Sequence, residues 1–530
     1  MTAPTSIRPY LNQAYLLGLL MVVVGLTLSP FLMGMSQFWL ILVWVVDGIC
    51  TKSFKEKFTR FWSNKVAVLL VAFYLMHVVG LLWTSDYNYA LRDLRVKLPI
   101  LVMPFVMSSM EPLDRKRFNF VMLVYVLSVF VATLFSSVTY WRHSYDDVRE
   151  ISHFISHIRF CLNIVFCIAV ISWYMIKKGS STKLVDKILQ WFLLLWFVYQ
   201  IYIFESLSGY VILAVVALVS AAYAFLQWKQ SRGWHIAVAA TALAVLVIGV
   251  VCAVHFVRPL LKVDPVDFST LERKTAQGND YWHDTVYNPV EDGRFVGLYY
   301  CRKELQEAWP QRSDLPLEGN TLNGESLEAT LARYLTSKGL RKDAQGVMAL
   351  TEEDVRNVEQ GVANYNNWKH PGMHARLSST LFEYNLYRRF NNPNGGSLSQ
   401  RIEFTRASFH IIGQHPWFGV GTGDVPQAFA QTYDEIHSPL KEEFRFRAHN
   451  QYLAIAVAFG LVGLAFFLFI LFYPWFASKR NHTYLYMVFL CIMLLSMFPE
   501  DTLETQAGVT LFAFFEAFLL FARPYTEPSS

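Results

Sequence analysis

The chain has 530 residues, of which 54% are hydrophobic, 16% aromatic and only 16% charged, with a mean hydropathy of +0.30. Soluble domains carry about 25% charged residues, so the composition excludes a disordered chain and argues against a purely soluble one. A net charge of +5 gives no case for nucleic acid, and six scattered cysteines without a CxxC pair speak against a disulfide framework or structural zinc.

The apolar residues fall into runs long enough, or nearly so, for a bilayer, which takes about 20 helical residues. In chain order they are Tyr15–Met33, Met35–Ile49, Val66–Trp83, Leu98–Met110 and Phe118–Trp141. After a polar stretch at 142–155 come Ile158–Ile176, Leu184–Phe204, Gly209–Trp228 and Trp234–Val257. A polar region then separates them from Gln451–Phe476, Tyr484–Phe498 and Ala507–Phe521. Arg8 alone precedes the first run and no small-residue cleavage site follows it, so a retained first helix is expected. The expectation is an all-α polytopic membrane protein of about twelve spanning helices.

Charge placement orients the helices. Every second connection is basic: Lys52 to Lys65, Arg115 to Arg117, Lys177 to Lys183, Lys229 with Arg232, and Lys479 with Arg480. Cytoplasmic loops carry that excess, so both termini are expected inside and the long region Arg258–His449 outside. The expected organisation is helices one to nine in 1–257, an external cap at 258–449, three helices in 450–522 and a short tail at 523–530. The cap reads as mostly helical. Glu325–Lys338 is helix-like and ends at Gly339, Thr351 with Asp354 has capping-box spacing, and a run from Ser399 to Gly413 follows the turn-rich Asn391–Gly396.

Cations on the external side oppose the orientation rule. Arg92, Arg95 and Lys97 stand at the outer start of the fourth helix, and Arg159 at that of the sixth, beside His153 and His157. Such groups are costly at membrane depth unless paired or functional. The first three read equally as partners of Asp86, Asp93, Asp146 or Asp147; Arg159, inside an apolar run, suits an anionic lipid-linked diphosphate, since guanidinium forms paired bonds to phosphate oxygens. A second constellation holds Arg401 and Arg406, then Gly419, Gly421 and Gly423, then Arg447, His449 and Asn450. The glycines follow no predicted strand and read as a tight turn rather than a dinucleotide fingerprint. His449 lies at the mouth of a spanning helix, with Asn450 as its expected cap; an interfacial histidine is usually structural.

Arg401 to Pro474 resembles the signature region of the O-antigen ligase and O-antigen polymerase superfamily. The matching features are an arginine, Pro416-x-Phe418-Gly419-x-Gly421-x-Gly423, His449-Asn450-x-Tyr452-Leu453 and the glycine-punctuated Phe459-Gly460-Leu461-Val462-Gly463. Leu82–Asp86, His157–Phe160 and Glu500–Glu504 are similar to the same family, particularly its ligase-like members. Ser206-Leu207-Ser208 departs from it, since many relatives carry Ser-Arg there. The resemblance implies a GT-C-like fold in the bacterial inner membrane with the large loop periplasmic. It also implies transfer of a glycan from undecaprenyl diphosphate to lipid A-core or another hydroxyl acceptor. In those terms His449 is the expected base and Arg159 and Arg401, with Arg406 or Arg447, the expected diphosphate ligands. His157, Asn450, Arg95, Lys97 and the three glycines are expected to support them. No Asp-x-Asp pair is placed to hold magnesium, so no cofactor or metal is expected, and an in-line displacement would invert the anomeric centre. A protein O-glycosyltransferase, a polysaccharide polymerase and a lipid-linked glycan transporter are the other readings; a transporter commonly shows two similar halves, which are not apparent here.

Overall fold

The computed structural model describes residues 7–142, 148–178, 183–228, 262–478 and 481–523. The chain forms two compact units: Met1–Ala240, Phe404–Ser438 and Arg445–Ser530 make the first, and Thr241–Glu403 with Pro439–Phe444 the second. The stretch expected as a cap is thus divided between them.

The first unit begins with α1 (Arg8–Leu28) and α2 (Pro30–Thr51), joined by Ser29 alone. Ser29 is extended, its hydroxyl accepts from the Leu32 N–H at 3.2 Å, and Pro30 opens the next helix with its φ already set. The amphipathic α3 (Phe54–Ser63) leads to α4 (Lys65–Val79), capped by Asn64, and α5 (Tyr87–Ser109), capped by Asp86. Then come α6 (Arg115–Trp141), α7 (His157–Lys178), α8 (Leu184–Ile203) and α9 (Leu207–Trp228). Ser206, at the departure from the family pattern, accepts from the Gly209 N–H and so starts α9.

In the second unit, residues 262–300 are largely irregular, which corrects the mostly helical expectation for that stretch. They hold a short hairpin, β1 (Val290–Glu291) and β2 (Arg294–Phe295), turned at Asp292-Gly293 with both residues at positive φ. Asp-Gly favours that turn because its backbone twist matches that of paired strands. The helices α10 (Arg302–Ala308), α11 (Leu327–Ser337), α12 (Ala344–Met348), α13 (Glu352–Glu359), α14 (Tyr365–Lys369) and α15 (Met373–Phe390) follow. Leu305, Trp309, Leu331, Leu335, Val347 and Val358 form their common core. Local chemistry sets the ends. α11 stops where Gly339 turns left-handed and the Leu340 N–H returns to Leu335 O at 2.8 Å; the Thr351–Asp354 capping box starts α13.

α16 (Ser397–Gln414) runs from the second unit into the first at Phe404, where α17 (Val425–Glu435), α18 (Gln451–Ala477), α19 (Tyr484–Ser496) and α20 (Gln506–Leu520) complete the bundle. Among the described residues seven helices are long and apolar enough to cross a membrane, and three shorter apolar ones accompany them. The expected span Trp234–Val257 lies outside the described residues, and Leu98–Met110 is largely the second half of the longer α5. Ten of the expected spans thus correspond to apolar helices among the described residues. α4 packs on α5 and α18, α5 on α20, and α7 on α8, α9 and α19. Tyr125, Phe166, Phe489 and Phe515 interlock at ring separations of 4.7–5.9 Å. Lipid is as apolar as these rings, so close packing rather than escape from water holds such a bundle together.

Candidate functional site

The site grows from the start of α18. Asn450 is its N-cap: the side-chain oxygen accepts from the Leu453 N–H at 3.0 Å, while its amide donates to Phe498 O at 2.9 Å. Gln451 receives the Leu503 N–H at 2.6 Å and donates to Glu504 at 3.1 Å, and Tyr452 OH donates to Leu494 O at 2.9 Å. Three successive residues of the His-Asn-x-Tyr motif thus bolt α18 to α19 and to the loop after it. That loop carries Glu500, Asp501 and Glu504.

His449 precedes the cap with φ +44, a left-handed backbone that costs a non-glycine residue about 1 kcal/mol or more. The imidazole lies against Phe404 and Phe446, and its Nδ1 is 3.7 Å from Asp501 Oδ1 and 4.0 Å from Glu500 Oε2. Nδ1 is buried without a hydrogen-bond partner. Arg159, in the first turn of α7, reaches the same carboxylates: Nη2 is 3.9 Å from Glu500 and from Asp501, and Nη1 donates to Ser156 at 2.9 Å. Its Nε is also buried and unpartnered. Asn163 holds the segment by donating to Arg159 O at 2.9 Å and accepting from Tyr125 OH at 2.9 Å. Ion pairs near 4 Å, with the buried Nε left over, describe a guanidinium steadied by the two acids.

Arg447 joins the same loop from the other side, 3.6 Å from Asp501 and 3.4 Å from Glu504, and donates to Tyr89 OH at 2.7 Å. Lys97 is 1% exposed, paired with Asp93 and with Glu504 at 2.8 Å. Of the two readings for Arg92–Lys97, pairing therefore holds for Lys97, whose burial takes it out of reach of a lipid-borne ligand. Arg95 is exposed on the same helix. Burial pushes the Glu504 carboxyl up, but Lys97 and Arg447 outweigh that and hold it well below the usual carboxylate range. It remains an anion.

Arg406, exposed on α16, donates to Ile436 O at 3.5 Å; Arg401 stands earlier on that helix, half-buried, in the second unit. His157 opens α7, half-buried. The glycine loop packs beside this region, and Thr422 lines one cavity with Arg447, Asp501 and Glu504. α18 breaks at Gly460 (φ 66, ψ −168), and Val420 and Gly421 donate to Val457 O and Ala458 O at 3.0 and 2.9 Å, while Pro416 O accepts from the Leu461 N–H at 2.7 Å. Gly423 donates to Thr84, and Asp424 accepts from the Ser85 and Asp86 N–H groups. A Cβ at Gly419 would lie 2.4 Å from Ala458 C, and one at Gly423 2.1 Å from Asp86 O. The glycines serve close backbone approach, and the expected tight turn is a splice into a broken helix.

The carboxylates are what residue-by-residue reading missed. Three acids in five residues sit between two apolar helices in a loop without Lys or Arg, and that was the signal. Among the described residues His449, Glu500 and Asp501 also form one group able to hold a cation, with ligand atoms within 4.8 Å of one another. Arg159 already brings positive charge to both carboxylates.

An apolar helical bundle with an imidazole, two arginines and three carboxylates gathered at helix ends defines a multi-pass membrane protein with the components of acid–base and anion chemistry. Residues 363–468 match the family model of O-antigen ligase. The match includes the glycine splice, His449 and most of α18. No curated protein matches the chain.

Proposed function

We propose that the protein moves a glycan from an undecaprenyl diphosphate carrier to an acceptor hydroxyl at the periplasmic face of the bacterial inner membrane, with O-antigen joined to lipid A-core as the leading reaction. The observation that carries this reading is the approach of His449 and Arg159 to the same two carboxylates, although they are far apart in sequence. A hydroxyl gains nucleophilicity when a base near neutral pKa takes its proton, and histidine has that range. His449 Nε2 accepts the proton while Asp501, facing Nδ1, steadies the imidazolium as it forms. The acceptor oxygen bonds to the anomeric carbon, the bond from that carbon to the phosphate oxygen breaks, and undecaprenyl diphosphate departs as an anion. Arg159, with Arg406 or Arg447 in reserve, stabilises the developing charge; Arg401, which belongs to the second unit, is left out of this assignment. One displacement inverts the anomeric centre.

A guanidinium held against Glu500 and Asp501 supplies positive charge where a divalent ion would otherwise sit, so we propose a metal-independent reaction. The test reconstitutes the purified chain with lipid-linked glycan and offers lipid A-core or a Ser/Thr peptide. Wild type is expected to modify lipid A-core equally with and without chelator, and His449→Ala to lose transfer by at least about a hundredfold, in line with a general base. Full activity of His449→Ala removes the base assignment, a strict divalent-ion requirement overturns the metal-free reaction, and product on the peptide alone makes the protein a protein O-glycosyltransferase.

A further inference from the structure

The second unit contains a groove of about 910 Å³ that the transfer chemistry does not use. Trp282 and Tyr300 exchange both backbone hydrogen bonds, at 2.8 and 3.0 Å, so their positions are fixed, and their rings meet edge to face at 6.1 Å. Trp282 is nevertheless 60% exposed. Tyr287, 50% exposed, stands on a turn in which the Asp284 carboxylate accepts from the Val286 and Tyr287 N–H groups at 3.0 and 2.7 Å. Scattered exposed aromatics need no explanation, but two on one concave wall, each on a tied-down backbone, form a prepared surface.

Polar groups line the same wall in matched sets. Arg302 grips Glu328 with two contacts of 3.1 Å, Glu328 also accepts from Tyr300 OH at 2.7 Å, and Lys303 donates to Asn279 at 3.3 Å. Donors and acceptors are mixed, with Asp280, Asp284 and Glu328 offsetting Arg302 and Lys303. That balance does not suit a phosphate or an anionic headgroup. A peptide would seek an open strand edge, but here Trp282 is already paired with Tyr300, and Tyr300 lies beside Lys342 on its other side. A pyranose has what the wall lacks: an apolar C–H face to lie on an indole, ringed by hydroxyls that both donate and accept.

We propose that this groove binds a saccharide chain, one sugar face stacked on Trp282 and its hydroxyls bonded by the Glu328–Arg302 and Asn279–Lys303 pairs. The glycan named as its source rests on the transfer reading; the groove's chemistry does not. The probe is a labelled, lipid-free oligosaccharide released from the host's own surface polysaccharide, titrated onto the full-length protein in nanodiscs. Wild type and His449→Ala are expected to bind it alike, Trp282→Ala to bind about tenfold more weakly, and Trp282→Phe to recover most of the loss. Unchanged thermal unfolding of Trp282→Ala would show that the exposed ring was removed without damage to the core. Absence of oligosaccharide binding to wild type, equal binding by Trp282→Ala, or equal displacement by an unglycosylated peptide of similar mass overturns the proposal. Binding without any transfer activity leaves the groove assignment standing and rejects the transfer reading alone.

Discussion

Arg159 is held by geometry as well as by charge. Its fork faces two carboxylates at 3.9 Å and Ser156 at 2.9 Å while Nε stays unbonded. Lysine offers a single ammonium that cannot serve two carboxylates and a diphosphate together. Arg159→Lys is expected to lower kcat/KM for the lipid-linked donor by about ten- to a hundredfold, roughly 1.4–2.8 kcal/mol of lost transition-state stabilisation. Steady-state transfer kinetics check this, and a fully active Lys variant would reduce the residue to charge balance. Arg159 and His449 were legible because an ionisable group beside an apolar run has no cheap structural explanation. Glu500, Asp501 and Glu504 show no role in the sequence, because acids in a loop read as solvated until a cation is seen beside them. Lys97 was ambiguous for the same reason: its partner Glu504 is hundreds of residues away, and no local pattern announces such a pair.

At the scale of elements, the break in α18 and the glycine loop are two halves of one joint. Bilayer-depth backbone must be hydrogen-bonded by protein, and residues 416–421 supply what Gly460 frees. Gly460→Ala would put a methyl 2.3 Å from Trp417 C at a positive φ. It is expected to cost about 2 kcal/mol or more, read as a lower unfolding temperature in detergent, with transfer falling alongside. Gly413→Ala is the control: nothing lies within 4 Å of its added Cβ, and alanine favours the helix. A wild-type unfolding temperature for Gly460→Ala would reject the joint. The sequence showed glycines in both places, but a turn and a punctuated helix some forty residues apart carry no sign that each completes the other.

For the molecule as a whole, the second unit's core depends on Asp354. Its carboxylate receives Lys338 at 2.6 Å, Tyr334 at 2.7 Å and both the N–H and the hydroxyl of Thr351 at 2.8 Å. Burial pushes the carboxyl up, and these donors more than reverse that, holding it at about 2 against an ordinary 3.8. The folded unit therefore binds this proton less tightly than the unfolded chain. The resulting stabilisation, about 2 kcal/mol, is complete above the unfolded value and fades as pH falls toward 2. Asp354→Asn is expected to speed hydrogen exchange in α11 and α13 at pH 7 and to flatten their loss of protection between about pH 4 and 2. Exchange identical to wild type would reject that role. Both helices were legible because Gly339 and the Thr351–Asp354 pair act locally. The hairpin at Asp292-Gly293 went unread although its turn dipeptide was present, since two-residue strands leave no alternation to detect.

Lys97, Arg159, Arg447 and His449 are all translated before the acidic loop that neutralises or faces them, which arrives only between the last two helices. A nascent chain paused after α18 holds residues 363–468 yet has Lys97 and Arg447 without their Glu504 counterion. The charge balance of this region is thus completed only by the last stretch of chain to enter the membrane.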